Sequence, residues 1–187
     1  MRLPYLPPGV LPLSMSPKVN HPPPTERLEF RCWSAGDLPL ALSLWGDPQV
    51  TDLIGGPFAD DAVAQRLSSE IVHESQHRAQ YWPIFLREDG QFAGCAGLRP
   101  YDVSRRIYEL GVHLRPEFWG RGLAVEAGRA VVEYGFGELN ASALFAGHNP
   151  RNEMSRKFLL KLGFVYTHDE LYPPTGLKHP SYLLIDC

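Results

Sequence analysis

The sequence predicts a single α/β domain with a mixed, largely antiparallel central sheet flanked by helices. Three observations favour this class. Short segments of alternating apolar residues indicate strands in both halves of the chain. An Asp89-Gly90 pair joins two of these strands as a hairpin. In the second half, apolar residues at helical spacing recur between strands, which is typical of a β-α-β-α-β order. The length of 187 residues suits one domain.

The elements of the first half follow from local patterns. Alternation of apolar and charged residues predicts a strand at 28–30. Apolar residues at helical spacing predict a helix over 38–45 and another after Asp60 and Asp61, whose charges suit a helix N-terminus. Three strands are then predicted at 81–87, 91–98 and 107–114.

The second half predicts two helices between shorter strands. Apolar positions predict a helix over 123–136, followed by a strand at 142–146. Asn149-Pro150 is predicted as the cap and first turn of the next helix, which Gly163 ends. Two short strands, at 164–166 and 182–185, finish the domain, and the loop at 172–176 between them is the expected place of acceptor specificity.

The first 24 residues differ from the rest because they contain eight of the 18 prolines. Proline removes a backbone donor and disfavours helix at the residue before it, so this stretch cannot build a helix or an inner strand. We therefore predict a disordered extension over residues 1–24 and the folded domain over residues 25–187.

Composition excludes several classes of protein. The formal net charge of −3 provides no global positive field for nucleic acid or anionic lipid. No apolar run reaches the roughly 18 residues that span a bilayer. The three cysteines, Cys32, Cys95 and Cys187, are widely separated and match no disulfide framework or zinc pattern. We expect a cytoplasmic protein with no nucleic-acid partner and no membrane partner.

A glycine-rich turn, Trp119-Gly120-Arg121-Gly122-Leu123-Ala124, lies between a predicted strand and a predicted helix. Its glycines permit positive φ and close approach of a ligand to the backbone. The free N–H groups at a helix start favour a bound phosphate. The turn matches neither the Walker A loop nor the GxGxxG fingerprint. It is either a phosphate cradle or simply a tight turn.

The strand before this turn carries a carboxylate at its middle. Alternation places Glu109, Gly111 and His113 on one face of the strand. Burying a carboxylate is costly unless it is paired or has a task. Glu109 is therefore either a catalytic base or a structural glutamate that an arginine or backbone N–H satisfies. A glycine within a strand indicates that another group approaches the backbone at Gly111.

These segments together resemble the GNAT superfamily of acyl-CoA-dependent N-acetyltransferases, in its RimJ/RimL-like branch. The resemblance covers about Thr25 to Ile185 and is carried by the following matches: Thr25-Glu26-Arg27-Leu28, Glu109-Leu110-Gly111, Trp119 to Ala127, Asn152-Glu153-Met154-Ser155 and Lys161-Leu162-Gly163-Phe164. It implies a GNAT-like fold and transfer of an acetyl group from acetyl-CoA to a primary amine, either on a small molecule or at a protein N-terminus.

The resemblance also implies a role for each matching residue. Backbone groups would bind acetyl-CoA, its pyrophosphate and its pantetheine arm, through Trp119, Gly120, Arg121, Gly122, Leu123, Ala124, Val112, His113 and Leu114. The side chain of Asn152 would hold the same arm. Glu109 would act as the base, and Ser155 would assist the departing thiolate. Leu159 stands where many relatives have a tyrosine acid, so the source of that proton stays open.

Two other functions remain as alternatives. His73-Glu74-Ser75-Gln76-His77 is an HExxH pattern, which in a zinc hydrolase supplies two ligands and a base. Arg78 beside it and the lack of a third-ligand motif speak against zinc, and we expect no metal. A catalytically silent acyl-CoA-binding module would fit the loss of the tyrosine at Leu159, but not the presence of Glu109. A homodimer is left open.

Overall fold

The computed structural model describes residues 20–186, in which seven strands form one sheet. The strands are β1 Leu28–Phe30, β2 Tyr81–Leu86, β3 Phe92–Asp102, β4 Ile107–Leu114, β5 Ala143–Gly147, β6 Val165–Tyr172 and β7 Leu177–Ile185. The α-helices are α1 Leu38–Trp45, α2 Pro48–Thr51, α3 Asp60–His77, α4 Leu123–Gly137 and α5 Glu153–Lys161. None of these helices is long and apolar enough to cross a membrane.

The strand order is β1-β2-β3-β4-β5-β7-β6. Every neighbouring pair is antiparallel except β4 and β5, which run parallel. Because parallel neighbours need a crossover, α4 connects β4 to β5 across one face of the sheet. The predicted mixed, largely antiparallel sheet with flanking helices is confirmed.

Two apolar clusters cover the two faces of the sheet. The larger one packs α4 and α5 against the sheet, and Leu110 and Leu114 of β4 belong to it. The smaller one contains α1 and α3 together with Tyr81 and Cys95. Because side chains alternate along a strand, Glu109, Gly111 and His113 share one face as predicted, and the structure shows that this is the α1 and α3 side.

The start of α5 differs from the prediction. The helix begins at Glu153, and its cap is Asn152, whose Oδ1 accepts from the backbone N–H of Ser155 at 3.0 Å. Asn149 instead accepts from the N–H of Arg151 and donates to the carbonyl oxygen of Leu53. The Asn149 side chain is therefore engaged in a turn and a long-range contact, which is why it does not cap the helix.

The described chain begins at Asn20, within the extension that we expected to be disordered. The carbonyl oxygen of Asn20 accepts from Trp82 Nε1 at 2.9 Å, and its side chain donates to Glu74 at 2.8 Å. Pro22 is buried. Residues 20–22 are thus packed against the domain, because the Asn20 backbone satisfies a buried indole and Pro22 is buried, whereas Pro23 and Pro24 are exposed. The rest of the predicted extension, residues 1–19, lies outside the described residues.

Candidate active site

The sheet opens between β4 and β5. These parallel strands pair only at their beginning, and the last pair is Glu109 with Phe145. β4 continues from there to Leu114 and remains paired with β3 along its whole length. In the part of the chain that the structure describes, the edge of β4 that faces β5 therefore has no strand partner beyond Glu109. The gap that results begins at the carboxylate of interest.

The backbone of β4 points into this gap at alternate residues. The N–H of Arg115 donates to the carbonyl oxygen of Ala93 at 3.0 Å, on the β3 side. Backbone direction alternates along a strand, so Leu114 and Val112 direct their polar groups towards β5. His113 directs its own towards β3. Of the three residues predicted to hold an extended ligand through their backbone, Val112 and Leu114 present backbone groups to the gap, and the prediction for His113 is wrong because its backbone groups face β3.

Trp119 lies at one end of the gap. Its Nε1 donates to the carbonyl oxygen of Leu114 at 2.8 Å, and 49% of the residue is exposed. This bond uses the Leu114 carbonyl and leaves the Leu114 N–H for a ligand. The indole ring is then an exposed apolar surface beside the open edge of β4.

The glycine turn presents a row of unused backbone donors. Gly120 and Gly122 have φ of 72° and 78°, the left-handed region that disfavours side chains. Within residues 20–186, no acceptor takes the N–H groups of residues 120–125, and the first helical bond is from Glu126 N–H to the Gly122 carbonyl. The positive end of the α4 dipole adds to these donors, so the turn has the geometry of an anion site.

An arginine immediately before β1 holds the turn in place. Arg27 Nη1 donates to the carbonyl oxygen of Arg121 at 2.9 Å, and Arg27 pairs with Glu126 at 2.6 Å. Burial opposes ionisation of Glu126, but hydrogen bonds from Thr25 and Arg27 prevail and lower the pKa of this carboxyl. The pairing neutralises the one acidic side chain in the first turn of α4, so its charge opposes a bound anion less.

Glu109 is a partly exposed carboxylate at the fork of the sheet. Within residues 20–186 it forms no ion pair and accepts no side-chain hydrogen bond. Burial raises the pKa of Glu109 above the ordinary value, and the positive charges of Arg99 and Arg66 only partly oppose this shift. The interpretation of Glu109 as a glutamate satisfied by an arginine is therefore wrong: Arg99 lies opposite it on β3 but pairs elsewhere.

The partner of Arg99 is Glu70, which is fully buried on α3. Arg99 donates to Glu70 Oε1 through Nε at 2.9 Å and through Nη2 as well. Glu70 Oε2 accepts from the backbone N–H of Tyr81 at 2.8 Å. Both carboxylate oxygens are thus engaged, and the pair ties α3 to β2 and β3 next to Glu109.

The group that approaches Gly111 is the ring of Tyr81. A Cβ at Gly111 would lie 2.4 Å from Tyr81 Cζ, so any larger residue there would displace this ring. Tyr81 also packs edge-on against His113, with ring centroids 5.7 Å apart. Trp45 Nε1 donates to His113 Nδ1 at 3.2 Å, and burial lowers the pKa of His113 well below its ordinary value. The His113 ring on this face of β4 is therefore neutral.

The α5 residues are placed less decisively. The Oδ1 of Asn152 accepts the capping hydrogen bond, so only the amide NH₂ of this side chain is free to bind a ligand. Ser155 is partly exposed, and its hydroxyl has no hydrogen-bond partner within residues 20–186. Leu159 is 2% exposed and belongs to the core against α4. The position where many relatives have a tyrosine is therefore apolar and closed.

The HExxH pattern, His73 to His77, forms the last turn of α3. The rings of His73 and His77 are 6.4 Å apart, and Glu74 accepts from the side chain of Asn20. In the described part of the chain, no group of three or more His, Cys, Asp or Glu side chains could hold a metal ion. The geometry therefore offers two histidines without a third ligand.

Comparison with known proteins identifies this arrangement. The model of the acetyltransferase (GNAT) domain matches residues 27–165, which is most of the chain. The chain belongs to the GNAT acetyltransferase family. It is accordingly an acyltransferase, and the predicted resemblance to the GNAT superfamily is confirmed.

Individual relatives agree with this assignment. The uncharacterized N-acetyltransferase p20 of Bacillus licheniformis is 32% identical over 142 residues, which cover 75% of this chain and 80% of that protein. RimL, a ribosomal L7/L12 α-N-protein acetyltransferase solved with coenzyme A, has a TM-score of 0.75 at 16% identity, over 87% of this chain and 96% of that one. Spermidine N-acetyltransferase from Vibrio cholerae, solved with CoA and spermine, has a TM-score of 0.73 at 16% identity, over 86% and 96%. These two structures show the GNAT fold.

Sequence reasoning missed Arg66 and Glu70 on α3 and their neighbour Arg99 on β3. Glu70 lies seven residues after Val63 and three after Leu67, so helical spacing puts it on the same buried face. That spacing was a usable signal. No local signal pairs Glu70 with Arg99, because their contact joins two elements 29 residues apart. Tyr172 was predicted only as part of the loop that determines acceptor specificity. In the structure, burial and the charge of Glu109 raise the pKa of the Tyr172 hydroxyl.

Proposed function

We propose that this GNAT enzyme transfers the acetyl group of acetyl-CoA to a primary amine, on a small molecule or at a protein N-terminus, by direct attack on the thioester. The observation that carries the proposal is the gap between β4 and β5, which opens at Glu109 and leads to the free amides of the glycine turn. A ligand with an extended amide arm and a diphosphate fits such a gap.

The proposed binding uses backbone groups of this chain. Val112 and the N–H of Leu114 would bond to the pantetheine arm as an added strand, and the Asn152 amide would donate to it. The N–H groups of residues 120–124 would hold the diphosphate. Acetyl-CoA supplies an acetyl thioester, whose carbonyl the amine attacks.

Glu109 is proposed to take the proton that an attacking ammonium must lose, directly or through a water. Burial raises its pKa, and a base whose pKa lies closer to the working pH is the more effective catalyst. A free N–H of β4 in the gap would stabilise negative charge on the carbonyl oxygen. Ser155 is proposed to assist the thiolate, which also leaves readily unaided because thiols are fairly acidic.

The kind of amine is open between two proposals. Resemblance to RimL supports a protein N-terminal α-amine and the RimJ/RimL-like branch, whereas resemblance to spermidine N-acetyltransferase supports a small molecule. We propose the cytoplasm as the compartment, and the free thiols of Cys32 and Cys95 support it.

The test is release of free thiol from acetyl-CoA against amines and N-terminal peptides. We expect turnover with at least one amine and none without an amine. Thermal stabilisation of the protein by CoA without turnover of any amine would show the silent acyl-CoA-binding module instead. Absence of both stabilisation and turnover would reject the proposed CoA site itself.

A further inference from the structure

Arg66 on α3 is a partly exposed cation without an anionic partner in residues 20–186. Its Cζ lies 4.6 Å from the ring centroid of Trp45 and 5.8 Å from that of Phe58. Its Nε is buried and bonds to no described atom. Arginines in such places normally donate to a carboxylate or phosphate, because an unsatisfied buried donor is costly. The aromatic rings alone leave its hydrogen-bonding capacity unused.

Neighbouring carboxylates do not supply the missing partner. Glu70, one helical turn from Arg66, spends both oxygens on Arg99 and on the Tyr81 N–H. Glu109 makes no ion pair with Arg66 within 4.0 Å. Two arginines therefore lie on this side of the sheet. Arg99 is paired with Glu70, whereas Arg66 has no carboxylate partner within residues 20–186.

Arg66 lies on the same side of the sheet as Glu109. It stacks on Trp45, whose Nε1 bonds to His113, and His113 shares a face of β4 with Glu109. The charge of Arg66 is close enough to lower the pKa of Glu109. Both Arg66 and Phe58 are partly exposed, so this region is open to solvent.

We propose that the amine acceptor carries a carboxylate, and that Arg66 binds this carboxylate while the amine lies at Glu109. This inference rests on the proposed acetyl transfer and names its acceptor class. An acceptor with a carboxylate gives Arg66 the bidentate partner that the described chain lacks. A polyamine would instead bring positive charge towards an unpaired guanidinium.

The experiment compares amines that differ only in this group. Steady-state thiol release is measured at saturating acetyl-CoA for amino acids of increasing amine-to-carboxylate spacing, from glycine to aminohexanoate, each beside its carboxamide, and for spermidine. We expect kcat/KM for the preferred acid to exceed that for its amide about 10- to 100-fold, the usual effect of a charged hydrogen bond.

Variants of Arg66 separate recognition from folding. Arg66→Met keeps the packing on Trp45 and Phe58 but should raise KM for the acid about 10- to 100-fold, with kcat and the KM of the amide little changed. Arg66→Lys should recover part of the loss, because it restores charge without the planar fork. Arg105→Met is the matched control, since Arg105 is 77% exposed and pairs with Asp102 at a distant turn.

Three results would overturn this acceptor class. The first is a wild-type kcat/KM for amides or spermidine that equals the value for acids. Arg66→Met could weaken acids and amides alike, which would show a structural role. Lastly, no amine could be turned over although CoA stabilises the protein; that result removes the proposed transfer itself, and the acceptor with it. The first two leave the proposed transfer standing.

Discussion

Glu109 illustrates how a single residue can be prepared for catalysis by its surroundings. Burial raises its pKa, while Arg99 and Arg66 lower it without forming a salt bridge to it. A paired carboxylate would be held ionised and weakly basic. Because the arginines act only through their charge, Glu109 stays free to accept a proton from a substrate.

The first prediction concerns this carboxylate. Glu109→Gln should lower kcat/KM about 10²- to 10⁴-fold, the usual worth of a general base. In the wild-type enzyme activity should fall as pH decreases through the raised pKa of Glu109, because protonation removes the base. That acid limb should start above the ordinary pKa of a glutamate and be absent from the variant. Thiol release across pH measures both effects.

CoA affinity is the control for this change, since Glu109 does not touch the proposed phosphate or pantetheine groups. Thermal stabilisation by CoA should therefore be equal in the two proteins. Equal turnover of the variant and the wild type at every pH would remove Glu109 from the mechanism.

At the scale of elements, the glycine turn combines a required backbone conformation with free donors. Gly122 has positive φ and directly precedes α4. We predict that Gly122→Asp weakens CoA binding more than tenfold, because a carboxylate at the turn repels the diphosphate. Calorimetric titration with CoA measures the loss.

Gly90 provides a matched control for this change. It has φ of 72° in the β2–β3 turn and open space around it, so Gly90→Asp imposes comparable backbone strain without placing a carboxylate at the start of α4. We expect Gly90→Asp to bind CoA like the wild type. Equal loss of binding in both variants would indicate a folding defect and contradict a phosphate site at the turn.

β4 permits a prediction residue by residue. Val112 and Leu114 direct their N–H groups into the gap, whereas Gly111 and His113 bond to β3. Binding of CoA should slow hydrogen exchange of the Val112 and Leu114 amides and leave the other two nearly unchanged, because they are already bonded. Exchange followed by NMR tests this. Uniform protection along β4 would argue for general stiffening and against an added strand.

At the scale of the whole molecule, the ion pair between Glu70 and Arg99 connects α3 to the sheet. Glu70 joins α3 to β2 through Tyr81 and to β3 through Arg99. We predict that Glu70→Gln lowers the free energy of unfolding by about 3–5 kcal/mol, since it leaves the Arg99 charge, which is only 23% exposed, without its partner. Urea unfolding of this variant beside Glu133→Gln, an exposed position on α4, measures the difference.

A loss of less than about 1 kcal/mol in Glu70→Gln, as in the exposed control, would show that the pair contributes only like a surface salt bridge. It would also weaken the view that α3 is rigidly held beside Glu109. Activity measured on the same variant shows whether α3 must be rigid for catalysis.

Most individual elements could be predicted from the sequence. β4 has the predicted bounds, and α4 begins at the predicted Leu123. The prediction that Glu109 and His113 share one face of β4 was also correct, because the direction of a side chain depends on the local backbone period. The start of α5 was wrong, since two asparagines could each cap a helix and a contact to Leu53 decided which one did.

What the sequence by itself determined is the set of elements, the glycine turn and the presence of a carboxylate in mid-strand, all properties of residues close together in the chain. Only the tertiary structure decided that β4 and β5 separate at Glu109, that Tyr81 occupies the space above Gly111, and that Glu70 pairs with Arg99 and leaves Arg66 without an anionic partner among residues 20–186. The physical reason is that strand pairing and buried ion pairs are chosen by competition among distant groups. Local periodicity carries no record of that competition.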